Sequence, residues 1–535
     1  MIYDYCLILL LAIFLIIYNA SFIIHFYQIV NNLEHVNTLF VLSVPVFFIS
    51  LFIILFSLIT IKYIEKPLII SLFIFSSIVS YYGYFYGVIF DTEMFSNIFE
   101  TNTGEALSYF NLSIILWVVL TGILPSIFIC FLNIIHFKFC KELLYKAIII
   151  SCSFLIMISI FFFFSKSYIS IKKNNRTLHQ LIVPTYYLHG LIKYLDDVFF
   201  NDTKNYKILG LDAKLKTDEL SKKNLLVIVV GETARGQNHE YNGYGRATTP
   251  YTSQKDIIAF QKVSSCGTAT ATSVPCMFSR LSRKEFKRYK AKNEDNLMDI
   301  INRTNTNVLW LDNDGGCKGV CNNVKHFYMP AHNKDQFCNG LSCHDEILVE
   351  YLQNNLNKLD AKDSVVVIHL IGSHGPAYYE RYPSRFNKFT PECHRSDIQN
   401  CTNEQLVNTY DNTILYTDYV ISTFIDKLKK YDNKWNTSLI YLSDHGESLG
   451  ENNLYLHGAP YFIAPEEQTK IPMIMWFSDS FITANKLNKN TIKTYAKQNE
   501  YSHDYLFDSV LGLMNVSTNI YNKNLDIFYN ARVNS

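Results

Sequence analysis

Five long apolar stretches occupy the first third of the chain, and they set the strongest constraint on its fold. A helix that crosses a bilayer needs about 20 mostly apolar residues, and each stretch is close to that length. The first stretch is too long for a signal peptide and has no cleavage-site pattern, so we expect it to be retained. The predicted spans run from Cys6 to Phe26, Leu39 to Ile61, Leu68 to Ile89, Ile114 to Ile135 and Ala147 to Phe164.

The placement of lysine orients these spans. The loops at residues 31–37 and 91–105 contain no lysine or arginine. The other two loops contain Lys62, Lys66, Lys138, Lys141 and Lys146. Because cytoplasmic loops are enriched in basic residues, we predict that the amino terminus is cytoplasmic and that everything after the fifth span lies outside the cytoplasm.

The 535 residues are too many for one core, and the composition divides them into three segments. Residues 1–165 are predicted to form the transmembrane domain and residues 224–535 a soluble catalytic domain. Between them, residues 166–223 form a polar, tyrosine-rich connector, whose short helices either lie on the membrane surface or pack as a linker. A net charge of +1 excludes nucleic acid as a partner, since that class needs clustered basic residues.

Eight cysteines in the soluble part predict disulfides. Thiols tend to pair outside the cytosol, and the lysine distribution also places this part of the chain outside the cytoplasm. The alternative, free buried thiols, would require a cytosolic domain. Spacing alone does not fix the connectivity. Pairing of sequence neighbours predicts Cys266 with Cys276, Cys317 with Cys321, Cys338 with Cys343, and Cys393 with Cys401.

From residue 224 onward, short runs of β-branched and apolar residues alternate with helical patterns, which is typical of a parallel sheet with crossover helices. The predicted strands are Leu225 to Val230, Val308 to Leu311, Val365 to Leu370, Ser438 to Leu442 and Met473 to Phe477. Polar residues follow four of them, at residues 231–233, 312–314, 372–374 and 443–447. Because strand ends form the ligand crevice of such sheets, we expect these four clusters to meet at one rim.

The rim is predicted to hold a catalytic metal. Glu232, Asp444 and His445 supply three nitrogen or oxygen ligands from separate strand ends, and a catalytic zinc site adds one open position to such a set. A threonine in that position would lose its proton and could attack phosphorus. Thr268, Thr270 and Thr272 lie in a loop between two cysteines. Their spacing does not indicate which of the three would be the nucleophile. The alternative is that this segment is an ordinary polar loop without a catalytic role.

Three histidines and a lysine complete the candidate site. His369, His374 and His457 lie in segments expected at the same rim, where together they suggest a second cation or a phosphate clamp. Each histidine alone is more often a hydrogen-bonded loop residue. Lys318, in the short loop from Cys317 to Cys321, is either a point charge for the same phosphate or a solvated lysine.

Four motifs in order along the chain resemble the lipid A phosphoethanolamine transferases, the family that includes the transferable colistin-resistance enzymes. The matching segments are residues 231–235 (GETAR), 266–270 (CGTAT), 372–379 (GSHGPAYY) and 443–450 (SDHGESLG). The resemblance covers essentially the whole chain. It implies an α-helical membrane domain of five spans, followed by an α/β periplasmic domain that is alkaline phosphatase-like, with a mainly parallel central sheet.

The resemblance also implies residue roles. Glu232, Thr270, Asp444 and His445 would hold zinc, and Thr270 would be the residue that becomes phosphoethanolaminylated. A further set would contact the substrate phosphate or a second zinc: Thr268, Glu285, Lys318, His369, His374 and His457.

The implied reaction moves phosphoethanolamine from phosphatidylethanolamine to a lipid A phosphate through a covalent intermediate on Thr270. The protein would be a multi-pass protein of the bacterial inner membrane with its catalytic domain in the periplasm. This modification of lipopolysaccharide lowers surface negative charge, so it would confer resistance to polymyxin.

Other functions are also compatible with these residues. The alternatives are a phosphoglycerol transferase of the lipoteichoic-acid-synthase type, phosphoethanolamine transfer to another envelope acceptor, and a sensor without turnover. The four predicted disulfides and the motif at residues 231–235 favour a phosphoethanolamine transferase over a phosphoglycerol transferase. A sulfatase is disfavoured because the nucleophile loop lacks the Cys-x-Pro-x-Arg pattern.

Overall fold

The computed structural model describes residues 2–31, 37–101, 106–107, 109–175, 178–200, 206–216, 222–329, 336–340, 342–360 and 362–533. The chain forms two compact units. The first comprises Met1–Asp91 and Phe110–Ile192, and the second comprises Thr92–Tyr109 and Lys193–Ser535. Thr92–Tyr109, which lies between the third and fourth predicted spans, is therefore grouped with Lys193–Ser535.

Helices dominate the chain up to residue 199. They are α1 (Asp4–Tyr18), α2 (Ala20–Asn31), α3 (Thr38–Ile59), α4 (Glu65–Phe85), α5 (Thr92–Glu100), α6 (Leu112–Val118), α7 (Leu124–Phe131), α8 (Phe139–Asn174) and α9 (Thr185–Phe199). One π-helical turn, Val119–Ile123, joins α6 to α7.

Four helical stretches among the described residues are long and apolar enough to cross a membrane: Thr38–Ile59, Glu65–Phe85, Leu112–Phe131 and Phe139–Lys173. The first predicted span, Cys6 to Phe26, is not one straight helix. It is divided between α1 and α2, which are bent by 65°. By length and composition, the described part of this unit therefore has four helices that could span a membrane, or five if the bent pair counts as one span.

Asn19 accounts for this bend. Its side-chain amide donates to the carbonyl of Val183 at 2.8 Å, and its side-chain oxygen accepts from the Val183 amide at 2.9 Å. A side chain that bonds another segment of backbone interrupts the helix at that point. The apolar composition predicted the span, but it contained no information about this long-range contact.

Among the described residues, fifteen strands contribute to the sheets of the two units. They are β1 (Ile2–Tyr3), β2 (Ile134–Ile135), β3 (Lys214–Leu215), β4 (Asn224–Gly231), β5 (Ile258–Phe260), β6 (Val263–Ser264), β7 (Asn307–Asp312), β8 (Lys325–Tyr328), β9 (Ser364–His369), β10 (Asn436–Ser443), β11 (Ser448–Leu449), β12 (Tyr455–Leu456), β13 (Met473–Phe477), β14 (Tyr501–Ser502) and β15 (Val516–Ser517).

The second unit is built on a seven-stranded sheet of order β5-β13-β10-β4-β9-β7-β8. Strands β10, β4, β9, β7 and β8 run parallel, whereas β13 is antiparallel to both of its neighbours. All five predicted strands are present, but Met473–Phe477 does not continue the parallel arrangement. The edge strands β5 and β8 were missed because they are only three and four residues long.

Both faces of this sheet are covered. Along β4, the side chains of Leu226, Ile228 and Val230 belong to one hydrophobic core. Those of Leu225, Val227 and Val229 belong to another. Successive strand residues point to opposite faces, so the uninterrupted apolar run of β4 is the pattern of a strand buried on both sides.

The following helices are described after residue 224, and most of them contribute side chains to the two cores. They are α10 (Thr270–Met277), α11 (Arg288–Lys292), α12 (Leu297–Arg303), α13 (Glu346–Leu356), α14 (Asn403–Lys429), α15 (Glu466–Thr469), α16 (Asp479–Ala484), α17 (Lys489–Gln498) and α18 (Leu506–Leu513). All four predicted disulfides are present, and they join sequence neighbours as expected.

The sheet register brings the predicted polar clusters together. Gly231 at the end of β4 is opposite Ser443 at the end of β10. His369 at the end of β9 is opposite Val230 on one side and Asp312 on the other. The four strands therefore end at the same level, and the predicted rim is confirmed.

Candidate active site

Glu232 and Asp444 follow the two central strands and are held there by backbone contacts. The amide of Asp444 donates to the Gly231 carbonyl at 2.9 Å. One carboxylate oxygen of Asp444 accepts from the amides of Thr233 and His445, at 3.2 and 2.6 Å. Thr233 has a φ of 52°, a left-handed turn that redirects the chain directly after Glu232. These carboxylates are thus fixed by the ends of the sheet.

Thr270 is the threonine that reaches this rim. It is the first residue of α10, and its Oγ1 lies 3.2 Å from Oε2 of Glu232 and 3.3 Å from Nε2 of His445. The hydroxyl of Thr268 instead donates to the carbonyl of Ala459 at 2.6 Å. Among the described residues, Thr272 makes no side-chain hydrogen bond. Of the three threonines, Thr270 is therefore the one whose hydroxyl lies beside Glu232 and His445 in the described structure.

The residues around Thr270 fit a divalent cation. Glu232, Asp444 and His445 are completely buried, and Nε2 of His445 lies 3.1 Å from Oδ2 of Asp444. That Oδ2 atom has no hydrogen-bond partner within the described part of the chain. Burial lowers the pKa of His445 to about 3, so its ring is neutral and can act as a ligand. Buried carboxylates need a compensating positive charge, which a metal here would supply.

A second group of possible ligands adjoins the first. Nδ1 of His374 lies 3.1 Å from Oε1 of Glu232, and Nε2 of His369 lies 3.6 Å from Oδ2 of Asp314. One ligand atom each from Glu232, Asp314 and His369 lies within 4.8 Å of the others. Burial, followed by the negative charge of Glu232, raises the pKa of Asp314 well above its usual value. An ionised Asp314 would therefore need a nearby cation.

Asp312 orients His369. Its Oδ2 lies 3.0 Å from Nδ1 of His369 and accepts a hydrogen bond from the indole of Trp310 at 2.8 Å. Nε2 of His369 has no hydrogen-bond partner among the residues described, so it is available to a ligand. A carboxylate behind an imidazole is the usual support for a metal-binding histidine.

The remaining predicted residues differ in where they lie. The ring of His457 is 4.4 Å from that of His445, and its Nδ1 is 3.4 Å from Oε2 of Glu447. One ligand atom of His457 also lies within 4.8 Å of ligand atoms from Glu232 and His445. Lys318 is close enough for its charge to act on Asp314. It also borders a cavity of about 600 Å³ that extends to Pro275 of α10.

Glu285 is not brought into this group. Its side chain is exposed, and its carboxylate accepts a hydrogen bond from Ser282 at 2.8 Å. Within the described ranges, no hydrogen bond or ion pair connects it to the rim. The role implied for Glu285 by resemblance is therefore not supported by its position.

The sequence reasoning did not identify His503. Its Nδ1 accepts from the amide of Cys266 at 3.0 Å, and its Nε2 donates to the carbonyl of Ser443 at 2.9 Å. Burial lowers the pKa of His503 to about 4, so the ring stays neutral and keeps both roles. His503 thus connects the nucleophile loop to the end of β10. It lies in none of the motifs, so no local pattern indicated it.

Asp314 was also left out of the predicted ligand set. Its position in the polar cluster at residues 312–314, directly after β7, is the sequence signal for it. Its neighbour Asp312 could have been interpreted in the same way. The structure assigns these two carboxylates different positions, one facing the rim and one behind His369.

Comparison with known families defines the class first. Residues 224–516 match the family described as Sulfatase. Together with the sheet and the rim, this match places the second unit in the alkaline phosphatase and sulfatase superfamily. Residues 48–198 match the family described as phosphoethanolamine transferase EptA/EptB.

Individual relatives identify the family within this superfamily. Phosphoethanolamine transferase EptA of Escherichia coli K12 is 38% identical over 505 residues, which cover 93% of this chain and 91% of that protein. Phosphatidylethanolamine transferase Mcr-1 of Escherichia coli is 33% identical over 502 residues, covering 92% and 90%. The solved integral membrane protein lipooligosaccharide phosphoethanolamine transferase A of Neisseria meningitidis is 38% identical, with a TM-score of 0.95 and 98% of each chain covered. The chain belongs to the lipid A phosphoethanolamine transferases, and it is a membrane-bound transferase.

Proposed function

We propose that this protein transfers phosphoethanolamine from phosphatidylethanolamine to a phosphate of lipid A, with Thr270 as the nucleophile. The observation that carries the proposal is the position of the Thr270 hydroxyl, within 3.3 Å of both Glu232 and His445 in a buried cluster. The relatives are named as phosphoethanolamine transferases, which indicates the group that is transferred. The buried cluster around Thr270 provides a means to activate its hydroxyl.

Zinc is the proposed metal. Glu232, Thr270, Asp444 and His445 would hold it, because carboxylate, hydroxyl and imidazole groups together suit this ion. A bound zinc ion would supply positive charge that lowers the pKa of the Thr270 hydroxyl. The second group, Asp314, His369 and His374, would hold another cation or the substrate phosphate.

In the first half-reaction, Thr270 Oγ1 forms a bond to the phosphorus of phosphatidylethanolamine, and the bond from phosphorus to the diacylglycerol oxygen breaks. The Thr270 proton passes to the carboxylate of Glu232, 3.2 Å away. The departing oxygen takes a proton from a rim imidazole, and His374 and His457 are the candidates. Diacylglycerol leaves, and Thr270 carries the phosphoethanolamine group.

In the second half-reaction, a phosphate oxygen of lipid A attacks the same phosphorus, and the bond to Thr270 breaks. Thr270 recovers its proton from Glu232, and the imidazole that protonated diacylglycerol takes up the proton of the attacking lipid A phosphate, so the site returns to its starting state. Thr270 begins α10, and the amides at a helix start stabilise the negative charge of phosphate oxygens in both steps.

The proposed setting is the bacterial inner membrane, with the second unit in the periplasm. Both lipid substrates are confined to membranes, so tethering the catalytic unit replaces a three-dimensional search. Each transfer adds an ethanolamine cation to an anionic phosphate. Cationic peptides such as polymyxin would then bind the envelope less strongly.

The nucleophile is tested with full-length protein and phosphatidylethanolamine labelled in its head group. The unsubstituted protein should acquire the label on the peptide that contains Thr270 and release diacylglycerol. Thr270→Ala should do neither, whereas Thr270→Ser should keep partial activity because it retains a hydroxyl. Thr272→Ala is the matched control, since it removes a threonine two residues away whose side chain makes no hydrogen bond in the described structure.

Substrate identity is tested separately. Labelled phosphatidylglycerol should leave no group on Thr270, and labelling by this lipid instead would support the phosphoglycerol transferase alternative. Mass spectrometry of envelope lipids from cells with and without the chain should show phosphoethanolamine on lipid A. Its appearance only on another component would assign a different acceptor.

A further inference from the structure

Five ionisable side chains meet in the first unit, far along the chain from the rim residues. Asp4 begins α1, Glu65 begins α4, His136 precedes α8, and Glu142 and Lys146 lie near the start of α8. We call these five residues the ion cluster. Their side chains are between 6% and 17% exposed, and buried charged groups in a membrane protein are rare enough to call for an explanation.

His136 is held as metal-binding histidines are held. Its Nδ1 lies 3.0 Å from Oε2 of Glu142, and its Nε2 lies 2.8 Å from Oε1 of Glu65. A carboxylate on one ring nitrogen fixes the tautomer and aims the other nitrogen at a cation. In this arrangement Glu142 is the orienting group, and Nε2 of His136 points toward Glu65.

Two oxygens of the ion cluster lack partners. Oδ1 of Asp4 and Oε2 of Glu65 are buried, and neither accepts a hydrogen bond in the described part of the chain. Both residues are only 4% exposed. One ligand atom each from Asp4, Glu65 and His136 lies within 4.8 Å of the others. Buried oxygens without donors are costly unless a cation is bound to them.

The charges of the ion cluster do not balance. Three carboxylates face one lysine, Lys146, whose Nζ lies 3.1 Å from Oδ2 of Asp4 and 3.3 Å from Oε1 of Glu142. With a neutral His136, two negative charges remain, and a divalent cation would neutralise both. The alternative is a protonated His136 that donates to two carboxylates, which leaves one negative charge uncompensated.

We propose that Asp4, Glu65 and His136 bind a divalent cation, with Glu142 orienting His136 and Lys146 offsetting the third carboxylate. Oxygen and imidazole ligands together suit Zn²⁺ or Mn²⁺. The cation would cross-link the starts of α1 and α4 to the segment before α8. This site is independent of the reaction assigned to Thr270.

The test uses full-length protein in detergent, with Glu232→Ala, His369→Ala, Asp444→Ala and His445→Ala in the background to remove ligands from both candidate metal groups at the rim. The probes are Zn²⁺ and Mn²⁺ alone, and the measurements are metal content after dialysis and affinity by calorimetry. The background protein should retain one cation that Glu65→Gln loses. Glu142→Gln should weaken affinity by about 10- to 100-fold. His25→Gln, which changes an exposed histidine in the same unit, should have no effect.

Spectroscopy provides a readout that does not depend on stability. Mn²⁺ bound to the background protein should show electron spin echo modulation from an imidazole nitrogen, and His136→Gln should abolish it. Absence of a retained cation would overturn the proposal, as would equal affinity in Glu65→Gln. Retention of the nitrogen modulation in His136→Gln would also overturn it. Any of these results would leave an ion-pair cluster without a metal, and none would bear on Thr270.

Discussion

In the proposed reaction, His503 would act through two backbone groups rather than through the substrate. It joins the amide of Cys266 to the carbonyl of Ser443, so one ring sets the distance between the nucleophile loop and the strand that carries Asp444. Ser273 makes a parallel connection, because its hydroxyl donates to the Asp444 carbonyl at 2.5 Å. His503 is therefore a positioning residue.

His503→Ala should lower kcat by at least tenfold and change KM little, because two buried hydrogen bonds are lost and each contributes about 1 kcal/mol. The measurements are diacylglycerol release and metal content. His326→Ala, which removes an exposed histidine of β8, is the control and should keep full kcat. A native kcat in His503→Ala would show that the loop is positioned without this ring.

His239 makes the second unit sensitive to acid. Burial lowers its pKa to about 4, whereas an unfolded histidine titrates near 6.5. Below pH 6.5 the unfolded chain binds a proton that the folded chain does not, so stability is complete above that pH and is lost as the pH falls. At pH 5 the loss from this residue is about 2 kcal/mol.

Urea unfolding of the full-length protein in detergent, from pH 7.5 to pH 5, measures this effect. We expect the free energy of unfolding to fall more steeply with decreasing pH in the unsubstituted protein than in His239→Asn. Asparagine is chosen because its amide can still donate to the carbonyl of Arg235, which lies 2.9 Å from Nδ1 of His239. Equal slopes in the two proteins would contradict a neutral, buried His239.

At the scale of elements, the disulfide from Cys266 to Cys276 joins the loop before α10 to the end of that helix. Thr270 lies inside the closed loop. The disulfide therefore restricts the segment that holds the proposed nucleophile beside Glu232, in addition to stabilising the fold.

Replacing Cys266 and Cys276 with serine should reduce both stability and kcat. Closing a loop of this length is worth about 2 to 3 kcal/mol in the chain-entropy account. Serine replacement of Cys393 and Cys401, which close a loop of similar size, is the control and should reduce stability alone. If the two double variants lost the same fraction of kcat, the effect on activity would be a general loss of fold.

At the scale of the whole molecule, the charge of the loops predicts the orientation in the membrane. Four free cysteines lie in the first unit, and Cys140 is exposed in the first turn of α8. The lysine distribution predicts that this end of α8 is cytoplasmic.

A membrane-impermeant maleimide should therefore label Cys140 only after the inner membrane is opened. Tyr529→Cys, at a position 45% exposed in the second unit, should react in intact spheroplasts. Cys140→Ser gives the background for the first measurement. Labelling of Cys140 from outside would reverse the proposed topology.

Local patterns in the sequence were sufficient for much of the molecule. The apolar stretches located the spans, neighbouring cysteines located the disulfides, and buried runs such as Leu225 to Val230 located the inner strands. The polar clusters after four strands predicted the rim, since parallel strands that pair in register must end at the same level. The spans, the disulfides and the inner strands each depend on residues that lie close together in the chain.

Only the tertiary structure decided which side chains meet. It placed Thr270, rather than Thr268 or Thr272, beside Glu232 and His445, brought Asp314 to the rim, and left Glu285 at the surface. It also set the bend at Asn19 and the role of His503, since both depend on partners more than 50 residues away. The physical reason is that residue type and spacing determine an element and its buried face, whereas contacts between distant residues are determined by how the elements pack.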